Sequence, residues 1–159
     1  MIKLRKMRDD EFLAYRQYSM LAYGRDLAEN YGYTLSKASD VADHKLKECF
    51  PDGVEASDHE MYCIEFGVES AAQLVGYLWY KMMPADKAAF IYDFYVFKDF
   101  RGCGIGTQVL SELEMRLIEN GIEFLNLRVA TNNERAQKLY QKLAFNVTGY
   151  NMTKRLIDE

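Results

Sequence analysis

Arg101-Gly102-Cys103-Gly104-Ile105-Gly106-Thr107 is the stretch on which the fold turns, because a glycine-spaced turn here separates a strand pattern from a helix pattern. Upstream, Ala88-Ala89-Phe90-Ile91-Tyr92-Asp93-Phe94-Tyr95-Val96-Phe97 is rich in β-branched and aromatic residues. Downstream, Ile105, Val109, Leu113 and Leu117 recur every four positions. Glycines let the backbone approach an anion with no Cβ in the way, and the first amides of a helix have no intrahelical partner and sit at the positive end of its dipole. The turn therefore suits a phosphate, and a pyrophosphate above all. A dinucleotide fingerprint G-x-G-x-x-G would need glycine at Thr107 or at Val109, and a Walker A loop would need Gly-Lys-Ser/Thr, so neither matches. A glycine-rich turn that only starts a helix is the competing reading.

At 159 residues the chain is one domain by length, able to bury about 70% of its unfolded surface. Hydrophobic residues at 49% and charged ones at 28%, with two prolines and no low-complexity stretch, indicate an ordinary globular protein. No apolar run approaches the ~20 residues of a membrane span, and Met1-Ile2-Lys3-Leu4-Arg5 lacks a signal-peptide core, so a cytoplasmic protein with no membrane partner is expected. Cys49, Cys63 and Cys103 are odd in number and widely spaced, which argues against a disulfide framework or structural zinc. His44 and His59 stand outside any H-E-x-x-H pattern, so both are expected at the surface and no metal is expected. A net charge of −4 gives little support to a nonspecific nucleic-acid surface.

Ile2 to Arg8 alternates as a first strand, followed by a helix with Phe12, Tyr15, Ser19 and Ala22 on one face. A second helix from Ser36 to Phe50 groups Val41, Ala42, Leu46 and Cys49 before Pro51-Asp52-Gly53 stops it. Met61 to Val68 and Leu74 to Lys81 form a hairpin around Glu69-Ser70-Ala71. Past the third helix, Asn120-Gly121 is a C-cap signal, Leu125, Leu127 and Val129 mark a fifth strand, and a fourth helix carries Ala136, Leu139, Tyr140 and Leu143 on one face. Phe145 to Leu156 reads as two short strands. The pattern alone implies a mixed α and β domain.

R-x-x-G-x-G, from Arg101 through Gly104 to Gly106, resembles the pyrophosphate signature of the GNAT superfamily of N-acetyltransferases. About thirty residues on, Asn133-Glu134-Arg135-Ala136-Gln137-Lys138-Leu139-Tyr140-Gln141-Lys142-Leu143-Ala144-Phe145 resembles the second GNAT signature, N-x-x-A-x-x-L-Y-x-x-x-G-F. Ala144 replaces the family's glycine; if that glycine serves a left-handed C-cap, alanine is tolerable at a cost of ~1 kcal/mol. The resemblance spans Ala88 to Leu156. It implies an α+β GNAT-like acyl-CoA N-acyltransferase fold over residues 1–159, a mixed twisted sheet of six to seven strands with about four helices.

The resemblance further implies transfer of an acetyl group from acetyl-CoA to a primary amine of a small molecule or peptide, and leaves a homodimer open. The fourth and fifth strands would splay so that the pantetheine arm pairs with backbone around Tyr95, Val96 and Phe97, which could also stabilise the oxyanion. Arg101 would meet a phosphate, with the amides of Gly102, Cys103, Gly104, Ile105, Gly106 and Thr107 completing the cradle; a solvated arginine is the alternative. Asn133 would contact the pantetheine arm, and Thr131-Asn132-Asn133-Glu134 also fits a capping box. Tyr140 is the candidate general acid, with a packed aromatic as its alternative role. Asp93 is the candidate base, with Glu60 and Glu65 as rivals, and Tyr92 points to the opposite face if strand alternation holds. Tyr15, Tyr18, Tyr23, Tyr31 and Tyr33 with Asp52, Glu55, Asp58 and Glu60 would border an acceptor pocket suited to a cationic amine. A non-catalytic CoA-binding sensor or assembly module is the alternative function.

Overall fold

The computed structural model describes residues 1–157. The elements run β1 (Ile2–Lys6), α1 (Phe12–Tyr31), α2 (Leu35–Cys49), β2 (Glu60–Phe66), β3 (Gln73–Met83), β4 (Ala88–Val96), α3 (Ile105–Glu119), β5 (Phe124–Leu127) and α4 (Glu134–Lys142). They are distributed over two compact units. Met1–Asp9 and Asp52–Arg128 make the first; Asp10–Pro51 and the chain from Val129 onward make the second.

The first unit is a five-stranded sheet in the order β1-β2-β3-β4-β5, antiparallel from β1 to β4, with β5 parallel to β4. A parallel pair needs a crossover, and α3 supplies it. The centre of the sheet is β3. Val75, Tyr77, Leu78, Trp79 and Tyr80 are all buried, which explains a run with no polar alternation. On α3 the buried stripe is Ile105, Val109, Leu110, Leu113 and Leu117, and the helix packs on β1 and β4. Each such side chain contributes about 1.5–3 kcal/mol relative to exposure, so burial of this face outweighs intrinsic helix propensity. The Arg116 guanidinium lies 5.3 Å over the Tyr62 ring, which itself stacks on Tyr80 at 6.0 Å. Burial, with Tyr62 and Glu60 adding to it, holds the Tyr80 phenol well above its ordinary range, so it stays protonated. The hairpin expected around Glu69-Ser70-Ala71 is present, with a 3-10 turn at Glu69–Ala71.

In the second unit α1 and α2 form a helical hairpin that buries Tyr15, Ser19, Gly24 and Leu27 from one helix and Ala38, Ala42 and Leu46 from the other. Thr34 caps α2 by accepting the Lys37 amide at 3.2 Å. Arg16 donates to Asp43 at 2.6 Å, and this hydrogen bond, then that of Lys47, holds the Asp43 carboxyl below the usual carboxylate range. Asn132 Nδ2 donates to Glu29 at 2.9 Å, and Arg155 Nη1 donates to the Gly32 carbonyl at 3.0 Å, joining the segments around α4 to α1.

The sheet has five strands, not six to seven, and residues 145–157 contain no strand. A strand exists only when another backbone pairs with it, and the other elements of the second unit are helices. Tyr150 and Met152 are accordingly 80% and 93% exposed. β5 ends at Leu127, so Val129 falls outside it. The α1 stripe runs through Gly24 and Leu27 while Ala22 is only half-buried, and α4 buries no residue fully.

Candidate active site

β4 changes character halfway along. Ala88 to Ile91 pair with β3 on one side and with Phe124 to Leu127 of β5 on the other. From Tyr92 to Val96 the strand keeps no β5 partner. The change coincides with a register shift: Trp79 pairs with Asp93 and Tyr80 with Ile91, which leaves Tyr92 as an extra residue. This β-bulge bends the strand and re-aims its side chains. Trp79 and Asp93 are directly opposed and share a face, and the Tyr92 ring stacks on Trp79 at 5.0 Å. Strict alternation would have sent Tyr92 and Asp93 to opposite faces. The bulge puts them on the same one.

Beyond the bulge, Phe97 N–H donates to the Val75 carbonyl at 2.8 Å, so the backbone groups of Phe97 and Tyr95 turn toward β3. Those of Phe94 and Val96 turn toward the side that β5 leaves open. Of the three residues expected to pair with a pantetheine arm, Val96 alone has that orientation. Phe94 joins it, a residue that sequence reasoning missed because only the ladder phase reveals it. Gly76 sits opposite Val96, where a Cβ would meet the Tyr95 carbonyl oxygen and come within 3.1 Å of Val96 Cα.

The turn that follows has Gly102 and Gly104 in the left-handed region, at φ +79° and +81°. Gly104 is the N-cap of α3, and no side chain caps the helix. Ile105, Gly106 and Thr107 therefore form a first turn whose amides have neither a side-chain cap nor an acidic neighbour. Cys103 is exposed, and its thiol lies 3.8 Å from the Arg101 carbonyl. Arg101 Nε donates to the Val96 carbonyl at 2.8 Å, and the guanidinium lies 5.0 Å over the Tyr95 ring. It braces the end of β4 against the turn.

In the second unit, Asn133 accepts the Ala136 amide at 3.2 Å and caps α4. Thr131, the capping-box candidate, is not the N-cap residue. At the other end Ala144 is left-handed at φ +69°. The Phe145 amide reaches the Tyr140 carbonyl at 2.9 Å and the Ala144 amide reaches Gln141 at 3.1 Å. The Tyr140 and Phe145 rings meet at 5.4 Å, completing a Schellman cap with its apolar contact. Tyr140 is thus half-buried and packed, with its phenol on a helix fixed at both ends.

Several other expectations change. His59 is buried, not at the surface, and its Nδ1 accepts the Trp79 indole N–H at 2.9 Å. Glu60 pairs with Lys6 at 3.6 Å and Glu65 with Arg5 at 3.3 Å, so the rivals of Asp93 serve as cross-strand charges. Tyr15 is fully buried and cannot border a pocket, while Lys37 lies 4.3 Å over the Tyr33 ring. Asp58 is tied to Lys81 at 3.2 Å, and that hydrogen bond lowers its pKa. Among the described residues, no group of three or more His, Cys, Asp or Glu side chains is arranged to hold a metal ion.

The Acetyltransferase (GNAT) family model matches residues 20–145. The chain belongs to the GNAT family. Within it, the chain is 31% identical over 155 residues to the uncharacterized N-acetyltransferase YdgE of Bacillus subtilis, covering 96% of this chain and 97% of that protein. It is 29% identical over 157 residues to YycN of the same organism, covering 98% and 99%. The YycN crystal structure superposes with a TM-score of 0.87 at 28% identity, over 99% of this GNAT chain and 100% of that one. The fold is shared more distantly by PaiA N-acetyltransferase of Thermoplasma acidophilum, solved in complex with coenzyme A, with a TM-score of 0.70 at 18% identity over 95% and 93% of the two chains.

Proposed function

We propose that this GNAT protein is an enzyme that moves an acetyl group from acetyl-CoA to a primary amine of a small molecule or peptide. The observation that carries the reading is the opening of β4 after Ile91, followed directly by a glycine turn and a helix start with no side-chain cap. An extended, amide-bearing arm ending in a pyrophosphate has the shape and chemistry of that opening. The family match draws residues from both compact units, which supports one catalytic domain along the chain. No helix among the described residues is long and apolar enough to cross a membrane, consistent with a cytoplasmic enzyme.

Acetyl-CoA supplies an activated thioester. In this reading Arg101 and the amides from Gly102 to Thr107 hold the pyrophosphate, and the backbone of Phe94 and the Val96 amide, on the side of β4 that β5 leaves open, orient the arm. Asn133 adds a contact to the arm. Asp93 first takes a proton from the acceptor's ammonium, and the free amine's lone pair then forms the C–N bond. Tyr140 donates a proton to the thiolate as the C–S bond breaks, while the second proton shed by the new amide nitrogen restores the phenol through solvent. A phenol near ~10 donating to a thiolate near ~8.5 is uphill by about 2 kcal/mol, so Tyr140 assists the step without being indispensable.

Acetyl-CoA at a hundred times its dissociation constant should stabilise the protein by about 2.7 kcal/mol, with NAD and ATP doing much less. Free thiol should then appear with at least one member of a panel of amines. Stabilisation without thiol release would instead mark a CoA-binding module, and a larger shift with NAD would overturn the pyrophosphate assignment.

A further inference from the structure

His59, Trp79 and Tyr92 form one cluster on the bulged face of the sheet. The imidazole lies 5.7 Å from the indole and 5.1 Å, edge-on, from the Tyr92 ring, while Trp79 and Tyr92 stack at 5.0 Å and an interplanar angle of 18°. His59 is 8% exposed and Trp79 4%. The indole N–H donates only, so the Nδ1 that receives it carries no proton, and the imidazole is held as one tautomer. Tyr92 is the extra residue of the bulge, and Asp93 follows it. A buried imidazole that receives the one hydrogen bond an indole can make therefore fixes the ring against which the bulge is stacked.

We propose that His59 is a positioning residue of the acceptor end of the site: through Trp79 and Tyr92 it sets the bulge that presents Asp93 on the same face. The proposal rests on the acetyltransferase reading. Its reasoning is geometric, since a displacement of about 1 Å in a reacting group can cost on the order of a hundredfold in rate. Asp93 adjoins the bulge, whereas the glycine turn that would hold the pyrophosphate lies beyond the end of β4, so the acceptor side of the reaction should feel the loss of His59 more than the acetyl-CoA side.

The test compares His59→Phe with His59→Asn in the full chain, using spermidine, glucosamine and a peptide with a free α-amino group. Asparagine places its carbonyl oxygen about where Nδ1 lies and can accept the indole N–H; phenylalanine fills the space and accepts nothing. Trp79 is the chain's one tryptophan, so its emission reports whether the asparagine has rebuilt the bond. We expect His59→Phe to lower kcat/KM for the amine by about tenfold or more with the acetyl-CoA KM within about twofold, and His59→Asn to recover most of the loss. Should His59→Phe fail to fold, His59→Gln, whose carbonyl reaches toward the Nε2 position, takes its place. Equal losses in the two variants, a parallel change in acetyl-CoA KM, or full activity without an acceptor at this position would overturn the proposal. A wild type inactive with all three amines would instead count against acetyl transfer itself, a result distinct from an active wild type matched by its His59 variants.

Discussion

Gly104 and Ala144 adopt nearly the same left-handed backbone, φ +81° and +69°, one opening α3 and the other closing α4, yet only the first is glycine. A Cβ on Gly104 would meet nothing within 4 Å. Protein packing therefore does not exclude a side chain there, and under the proposed function the open space is left for a phosphate. Ala144 carries a Cβ in the strained conformation because its task is only to end a helix, where the Schellman bonds and the Tyr140–Phe145 contact offset the strain. Under the proposed function, the same φ serves access at one site and termination at the other. Gly76 adds a third case, in which the backbone is extended and β4 itself approaches too closely for a Cβ.

If that distinction is right, the three positions fail in different ways. Gly76→Ala should do most damage, about 3 kcal/mol or roughly 6–12 °C in Tm, together with loss of acetyl-CoA binding, because the Tyr95 carbonyl must move and the open half of β4 moves with it. Thermal melts and calorimetric titration would show it; an unchanged Tm would mean that the two strands can part without cost. Gly104→Val should keep its far-UV circular dichroism and lose only about 1–2 kcal/mol of stability while losing acetyl-CoA affinity by about a hundredfold or more. Normal affinity in this folded variant would reduce the turn to a structural device and erase the contrast with Ala144.

At α4 the expected effects are smaller. Tyr140→Phe keeps the ring that packs on Phe145 and removes the phenol, so kcat should fall by roughly tenfold to a thousandfold with acetyl-CoA affinity nearly unchanged, and the alkaline limb of the rate should shift. Full activity with the same pH profile would leave Tyr140 as a capping residue alone. Ala144→Gly should be the mildest change, raising stability by about 0.5–1 kcal/mol in denaturant unfolding with activity unaltered. Destabilisation there would show that the methyl group makes a contact that outweighs its strain.

The strand, turn and helix around Arg101 to Thr107 and the end of α4 were legible in the residues themselves, because hydrophobic spacing, left-handed backbone and capping act over a few neighbouring positions. The α3 stripe Ile105, Val109, Leu113 and Leu117 is buried as its spacing required, and Ala144 adopts the left-handed backbone that a C-cap glycine at its position would have implied. Tertiary structure alone decided the rest. Whether Tyr92 and Asp93 share a face depends on a bulge that exists only in the register against Trp79, and His59 is buried because the indole of a strand distant in sequence gives it a partner. The two short strands expected from Phe145 to Leu156 are not formed among the described residues, since a sequence segment cannot supply the neighbouring backbone that a strand requires.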